Sequence, residues 1–119
     1  MVDRALLGQW GEDVAVRHLE ATGYEVLARN WRCRDGEIDI IARSGEVLCF
    51  VEVKTRSSLA FGEPAEAVKG RKMRRQPVLA AQFIRDQRPT GWGDLRYDVV
   101  SVLRQQGQPP EVVHIEGIF

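Results

Sequence analysis

Binding a divalent cation needs carboxylates held close together, and the centre of this sequence supplies them, with an ammonium beside them, where a fold normally keeps apolar side chains. In VLCFVEVK, strand alternation puts Leu48, Phe50, Glu52 and Lys54 on one face and Val47, Cys49, Val51 and Val53 on the other. Both rows begin apolar, so one of them ends against the pattern in a carboxylate and an ammonium about 6–7 Å apart along the strand. The preceding segment, GEIDIIAR, repeats the anomaly: Glu37 and Asp39 share one face, and Ile38, Ile40 and Ala42 the other.

Register decides whether the two anomalies meet. If GEIDIIAR and EVLCFVEVKTR form a hairpin with Gly45-Glu46 as a type II′ turn, paired residue numbers sum to 91 and Asp39 faces Glu52. Their Cβ atoms would then be about 4.5–5.5 Å apart. With Ser44-Gly45 as the turn the sum is 89, and the two acids are diagonal on the same face. Only an odd, bulged register would separate them. Two carboxylates left charged and unpaired in a half-buried place would cost several kcal/mol, so something positive must lie between them. Lys54 can neutralise one. A divalent cation, Mg²⁺ or Mn²⁺, on Asp39, Glu52 and the Val53 carbonyl can neutralise more. A structural network of the same acids with Lys54 and nearby arginines meets the same demand, and spacing alone does not choose. Glu12 is a third candidate acid. At 100° per residue it lies within about 60° of Ala5, Gly8, Ala15, Val16 and Leu19, a stripe suited to face a sheet, although a solvated position at the stripe's edge also fits.

The elements that must hold these groups follow from the same patterning. GQWGEDVAVRHLEAT, residues 8–22, contains no proline and ends at Thr22-Gly23, which predicts a helix. YEVLARNWR reads as a strand at or near a sheet edge, and the two hairpin strands come next. A loop over residues 57–64 leads into a helical stretch from about 65 to 87. Pro77 should bend that stretch, or split it into a basic half and an apolar half bearing Leu79, Phe83 and Ile84. LRYDVVSVL and PEVVHIEGIF supply two further strands. The class is therefore α/β with a mixed sheet, and the passage from Lys54 to Asp94 is long enough for a helical crossover.

With 119 residues, 44% hydrophobic and 29% charged, a single domain over residues 1–119 is expected. Seventeen basic and 17 acidic side chains cancel, so any polyanion site must be a local patch. Lys69, Arg71, Lys72, Arg74 and Arg75 make one such patch, extendable by Arg29, Arg32 and Arg34. It reads either as a solvated basic face or as a surface that positions nucleic-acid phosphates. Trp31, Trp92 and Phe61 could stack bases, but packing is the commoner use. No run of 18 apolar residues occurs, and MVDRALLGQW lacks the sections of a signal peptide, so a cytoplasmic protein without a membrane partner is expected. Cys33 and Cys49 lack the number or spacing of a disulfide framework or zinc site and read as reduced structural thiols.

Asp39, twelve intervening residues and then Glu52-Val53-Lys54 has the spacing of the PD-(D/E)XK nuclease motif. With GEDVAVRHLEATGYEVLARNWRCRDGEIDIIA, FVEVKTR, FGEPAEAV followed by Lys72 and Arg75, and RYDVV, the text from about residue 8 to 103 closely resembles the YraN family. These are bacterial predicted endonucleases similar to archaeal Holliday junction resolvases. The resemblance implies a restriction-endonuclease-like α-β-β-β-α-β core. It also implies Glu12, Asp39 and Glu52 as metal ligands, Lys54 as the catalytic lysine, Mg²⁺ or Mn²⁺ as cofactor and branched DNA as substrate. Glu37 and Asp98 match family positions too; Glu37 is expected to bond a neighbouring backbone and Asp98 to be structural. Two departures stand: Tyr97 replaces a Phe, and Lys72-Met73 replaces a Lys-Gln, so Met73 cannot supply that amide's hydrogen bonds.

The leading reading is thus a structure-selective DNA endonuclease in which Lys54 neutralises transition-state charge rather than acting as general base. A nucleic-acid-binding or assembly protein that keeps the nuclease fold without turnover is the alternative, and a purely structural ionic cluster is the third. Branched DNA usually calls for two active sites, which makes a homodimer the natural assembly, through LRYDVVSVL if that strand is an edge or through Ile118 and Phe119.

Overall fold

A computed structural model describes residues 3–57 and 75–118. Its elements run α1 (Arg4–Ala21), β1 (Glu25–Cys33), β2 (Gly36–Ser44), β3 (Val47–Arg56), α2 (Gln76–Gln87), β4 (Asp94–Leu103) and β5 (Glu111–Ile115). The α-β-β-β-α-β order is present, with β5 added. The five strands lie in chain order in one sheet. β3 and β4 are parallel and every other neighbouring pair is antiparallel. A parallel step needs a crossover, and α2 lies on it. β4 is interior, between β3 and β5, so it offers no free edge to a second subunit, whereas β1 is an edge strand.

Local chemistry sets the boundaries. Asp3 caps α1, its side chain accepting the N–H of Ala5 at 2.9 Å and of Leu6 at 3.2 Å, so the helix starts four residues before the expected Gly8. Thr22 closes it: its N–H bonds the carbonyls of His18 and Leu19, and Gly23 at φ 96° reverses the chain. The β2–β3 ladder runs from Ser44–Val47 to Ile40–Val51, pairs that sum to 91, and Gly45 at φ 58° takes the first turn position. Pro77 marks the start of the described part of the second helical stretch. It stands in the first turn of α2, where its missing N–H would have no intrahelical acceptor anyway. The expected basic half, with Lys69, Arg71, Lys72 and Arg74, and Phe61 before it, lie outside the described residues.

Two apolar clusters glue the layers. On one face Val14, Ala15 and Leu19 of α1 meet Ile40, Ala42, Cys49, Val51, Val100 and Val102. On the other, Leu79, Ala80 and Phe83 of α2 meet Ile38, Ile41, Leu48 and Phe50. The Phe83 ring stands edge-on to Trp31 and Phe50, centroids 5.5 and 5.9 Å apart. β3 is buried on both sides, as its continuous apolar run requires. No helix of the described residues is long and apolar enough to cross a membrane.

One expectation fails in an informative place. Ile38 does not share a face with Ile40 and Ala42; it packs on the α2 side with Ile41. β1 makes the same step, since Arg29 reaches α1 and Trp31 packs under α2. Between them Asn30 takes a left-handed conformation, φ 50°. An Asn tolerates that geometry better than most residues, and it lets both strands change face together. Asp39, one residue from both Ile38 and Ile40, sits at the point of rotation.

Candidate active site at the end of the β2–β3 ladder

The β2–β3 ladder stops at Ile40–Val51. In an antiparallel pair a residue's N–H and C=O point to the same neighbour, and every second residue does so. After Val51 the next residue of β3 to address β2 is therefore Val53. Its N–H meets no strand carbonyl there and donates instead to Asp39 Oδ2 at 2.8 Å. The Asp39 carboxylate thus stands between the two strands. It does not face Glu52 across the sheet surface, as strict alternation predicts, because the rotation at Asn30 and Asp39 turns it inward. Val53's carbonyl points to the same edge as its N–H, towards this carboxylate.

Glu52 continues the α2-side row of Leu48 and Phe50, and the unbroken β3–β4 register from Val47 to Arg56 leaves no bulge to displace it. Glu52 is 1% exposed and Asp39 8%. Lys54, next on the row, is exposed. Glu12 comes from the opposite layer. Its Oε1 accepts from Arg29 Nη2 at 3.2 Å and from Asn30 Nδ2 at 2.8 Å. Beside it, Gly11 lies so close to Thr55 that an added Cβ would stand 1.9 Å from the hydroxyl oxygen. The missing side chain at Gly11 is what lets α1 approach this end of β3.

The structure therefore brings Asp39 to the Val53 N–H, next in sequence to Glu52, while Glu12 is engaged by β1 side chains. Among the described residues no three of His, Cys, Asp and Glu stand close enough together to hold an ion as a group. Two buried carboxylates and a carbonyl remain as an all-oxygen donor set. That fits a small hard cation such as Mg²⁺, which is commonly bound through one or two carboxylates while keeping several waters.

Charged groups flank this end. Arg32 Nε donates to Glu37 Oε2 at 2.9 Å across the register pair of β1 and β2, so Glu37 binds a side chain rather than a neighbouring backbone. Arg75 is exposed just before α2.

Two features were not singled out by sequence. Gln76, at the start of α2, is fully buried with Leu79 and Ala80, the three- and four-residue spacing that marks one helix face. That spacing was a readable signal. The second is how much Asp98 gathers. It is fully buried and accepts from Arg96 Nε and Nη2, both at 2.9 Å, from the Gly117 N–H at 3.0 Å and from His114 Nε2 at 2.8 Å. Burial alone would raise its carboxyl, but the bonds from His114, Arg96 and Gly117 outweigh that and hold it below the ordinary carboxylate value. The nearby Cys49 thiol is pushed up to about 11, chiefly by burial and then by the Asp98 charge, so it stays protonated at neutral pH. Cys33 and Cys49 are both free.

A model of the uncharacterised protein family UPF0102 matches residues 11–102, a span that holds every candidate site residue. Similar proteins include a UPF0102 protein of Parafrankia sp. (strain EAN1pec), 51% identical over 113 residues and 95% of each chain. Another, of Beutenbergia cavernae, is 52% identical over 112 residues and 94% of each chain. One of Rhodococcus jostii (strain RHA1) is 44% identical over 119 residues, the full length of both.

Proposed function

The chain belongs to the uncharacterised protein family UPF0102, and from that premise and the site's chemistry we propose that it is a metal-dependent endonuclease that hydrolyses phosphodiester bonds in branched DNA. The observation that carries this reading is the Asp39 carboxylate held by the Val53 N–H at the end of a ladder, with Glu52 buried next to Val53 and Lys54 one step further along the same row. A purely structural role explains it less well. A sheet gains little from opening its ladder to admit a carboxylate.

Asp39, Glu52 and the Val53 carbonyl would hold Mg²⁺ or Mn²⁺. The ion, when bound, would supply Lewis-acid stabilisation of the phosphoryl oxygens and activate water for attack. The Val53 N–H fixes the direction of Asp39, so the carboxylate need not reorganise. Lys54, exposed on the Glu52 row, neutralises charge that develops on the phosphate. Arg32 and Arg75, with Lys69, Arg71, Lys72 and Arg74 in the intervening chain, would bind backbone phosphates on either side, which positions DNA by shape without reading its sequence. Cutting both arms of a junction requires a second copy, so the reading includes a homodimer acting in the cytoplasm.

The test is Mn²⁺- or Mg²⁺-dependent cleavage of junction and flap DNA by the purified protein. Cleavage should be lost in Glu52→Ala and Lys54→Ala while DNA binding is kept. Binding without cleavage under either metal would make the protein a non-catalytic nucleic-acid-binding module, and neither binding nor cleavage would leave a structural ionic cluster.

A further inference from the structure

Gln76 is 0% exposed, and neither its carboxamide nitrogen nor its oxygen has a hydrogen-bond partner among the described residues. A buried amide left in that state has given up its hydration for nothing, a penalty that Leu or Met in the same place would avoid. The position of α2 shows where this amide lies. Phe83 packs on Phe50, while the Leu79 methyls lie 3.5 and 3.7 Å from where a Cβ on Gly36 would stand. The helix therefore runs antiparallel to β3, and its first turn lies towards the end of the sheet where Glu52 and Lys54 extend the row past Phe50. The helix backbone offers little there. Pro77 has no N–H, and those of Val78 and Leu79 bond the Arg75 carbonyl at 3.0 and 3.1 Å. Of the buried residues of α2, Gln76 alone is polar.

We infer that Gln76 is a positioning residue of the proposed metal site, its carboxamide nitrogen donating to the Glu52 carboxylate when the ion is bound. The role rests on the nuclease reading. Glu52 has about four lone-pair sites, so one donated N–H can orient it without occupying the whole carboxylate. A neutral donor does so without a positive charge to compete with the cation, as a Lys or Arg would. Fully buried, Gln76 does not touch DNA, which separates its part from that of Lys54.

The test compares the wild type with Gln76→Leu, and with Gln76→Met should the branched side chain impair folding. Melting without metal, the Mn²⁺ concentration at half-maximal thermal shift, and kcat and KM on junction DNA are measured. Without metal the variant should melt at or above the wild-type temperature. Its Mn²⁺ midpoint should rise, and its kcat fall, by about 10–100-fold, the usual cost of losing a group that orients a metal ligand, with KM changed by less than about threefold. A midpoint and kcat within about twofold of wild type would overturn the role, and so would a metal-free variant melting well below wild type, since the amide would then be a structural tie. A wild type that neither shifts with Mn²⁺ nor cleaves DNA overturns the nuclease reading and this role together. A responsive wild type with an indifferent variant overturns this role alone.

Discussion

Asp39 combines two tasks in one carboxylate, and substitution can separate them. It accepts the Val53 N–H at 2.8 Å, and on the proposed reading it also holds an ion. Asp39→Ala leaves a half-buried backbone donor unmet and should lower metal-free stability by about 1–3 kcal/mol in a denaturant melt. Asp39→Asn keeps an oxygen for that N–H and should cost less than about 1 kcal/mol. Both should lose stabilisation by Mn²⁺, because the charge is gone. Equal metal-free stability of the two variants would show that the hydrogen bond does not hold the strands. At this scale the sequence revealed which residues are anomalous but not how each one points. Period-two alternation identified Asp39, Glu52 and Lys54 as polar intruders in apolar rows, and the observed 91 register is one of the two even registers the turn residues allowed. Alternation cannot foresee its own interruption, which depends on one left-handed residue in a different strand, Asn30. Gln76 went unnoticed although its three-residue spacing to Leu79 marks the same helix face, because a polar side chain carries no apolar signal of its own burial.

At the level of elements, α1 is set by contact rather than by propensity. Gly11 admits Thr55 into the helix surface, and Gly11→Ala would drive a methyl to within 1.9 Å of the Thr55 hydroxyl oxygen. The variant should lose at least about 1–3 kcal/mol of stability, the usual cost of overpacking, and adding Thr55→Ala should restore part of it. A tolerated Gly11→Ala in a thermal melt would mean that α1 slides freely on β3. The last strand is tied down by a different device. Asp98 receives His114 of β5 and Gly117 beyond it, and the Ile118 N–H bonds the Tyr97 carbonyl at 2.8 Å. Because the folded Asp98 carboxyl titrates below its unfolded value of about 4, its stabilisation is complete above that pH and is lost as the pH falls through the lower folded value. Asp98→Asn should lose about 3–5 kcal/mol at neutral pH, by leaving Arg96 partly unpaired, and should show a flatter acid limb below about pH 4. An unchanged acid limb would show that Asp98 is not the group being titrated. The described helices and strands were legible from turn residues and apolar runs, and Pro77 was legible as a break in the second helical stretch. The start of α1 was not, because the capping aspartate precedes the periodic stretch.

For the molecule as a whole, the two helices of the described residues lie on opposite faces of one sheet and leave the end of the β2–β3 ladder between the layers, where Glu12 approaches from above and Glu52 lies below. A ligand seated there binds only the folded chain. Mn²⁺ at 100 times its dissociation constant should therefore add about 2.7 kcal/mol to the unfolding free energy of the wild type, seen as a rise of several degrees in melting temperature. Glu52→Gln should abolish the rise. An identical rise in both would place the ion elsewhere. The zero net charge gave no hint of this location; it showed only that any attraction for a polyanion must be local, and much of the candidate basic stretch lies outside the described residues.

The parallel join between β3 and β4 has a consequence for how the chain is made. The β1–β2–β3 meander closes through tight turns and is complete once Arg56 has been synthesised, whereas β4 begins only at Asp94. Local pairings form before distant ones because closing a long loop carries an entropic cost. Asp39, Val53 and Glu52 are thus in the emerging polypeptide before either the crossover helix or the strand that backs them. This acidic corner is laid down first, and the ribosome must deliver nearly the whole sequence before its rear wall arrives.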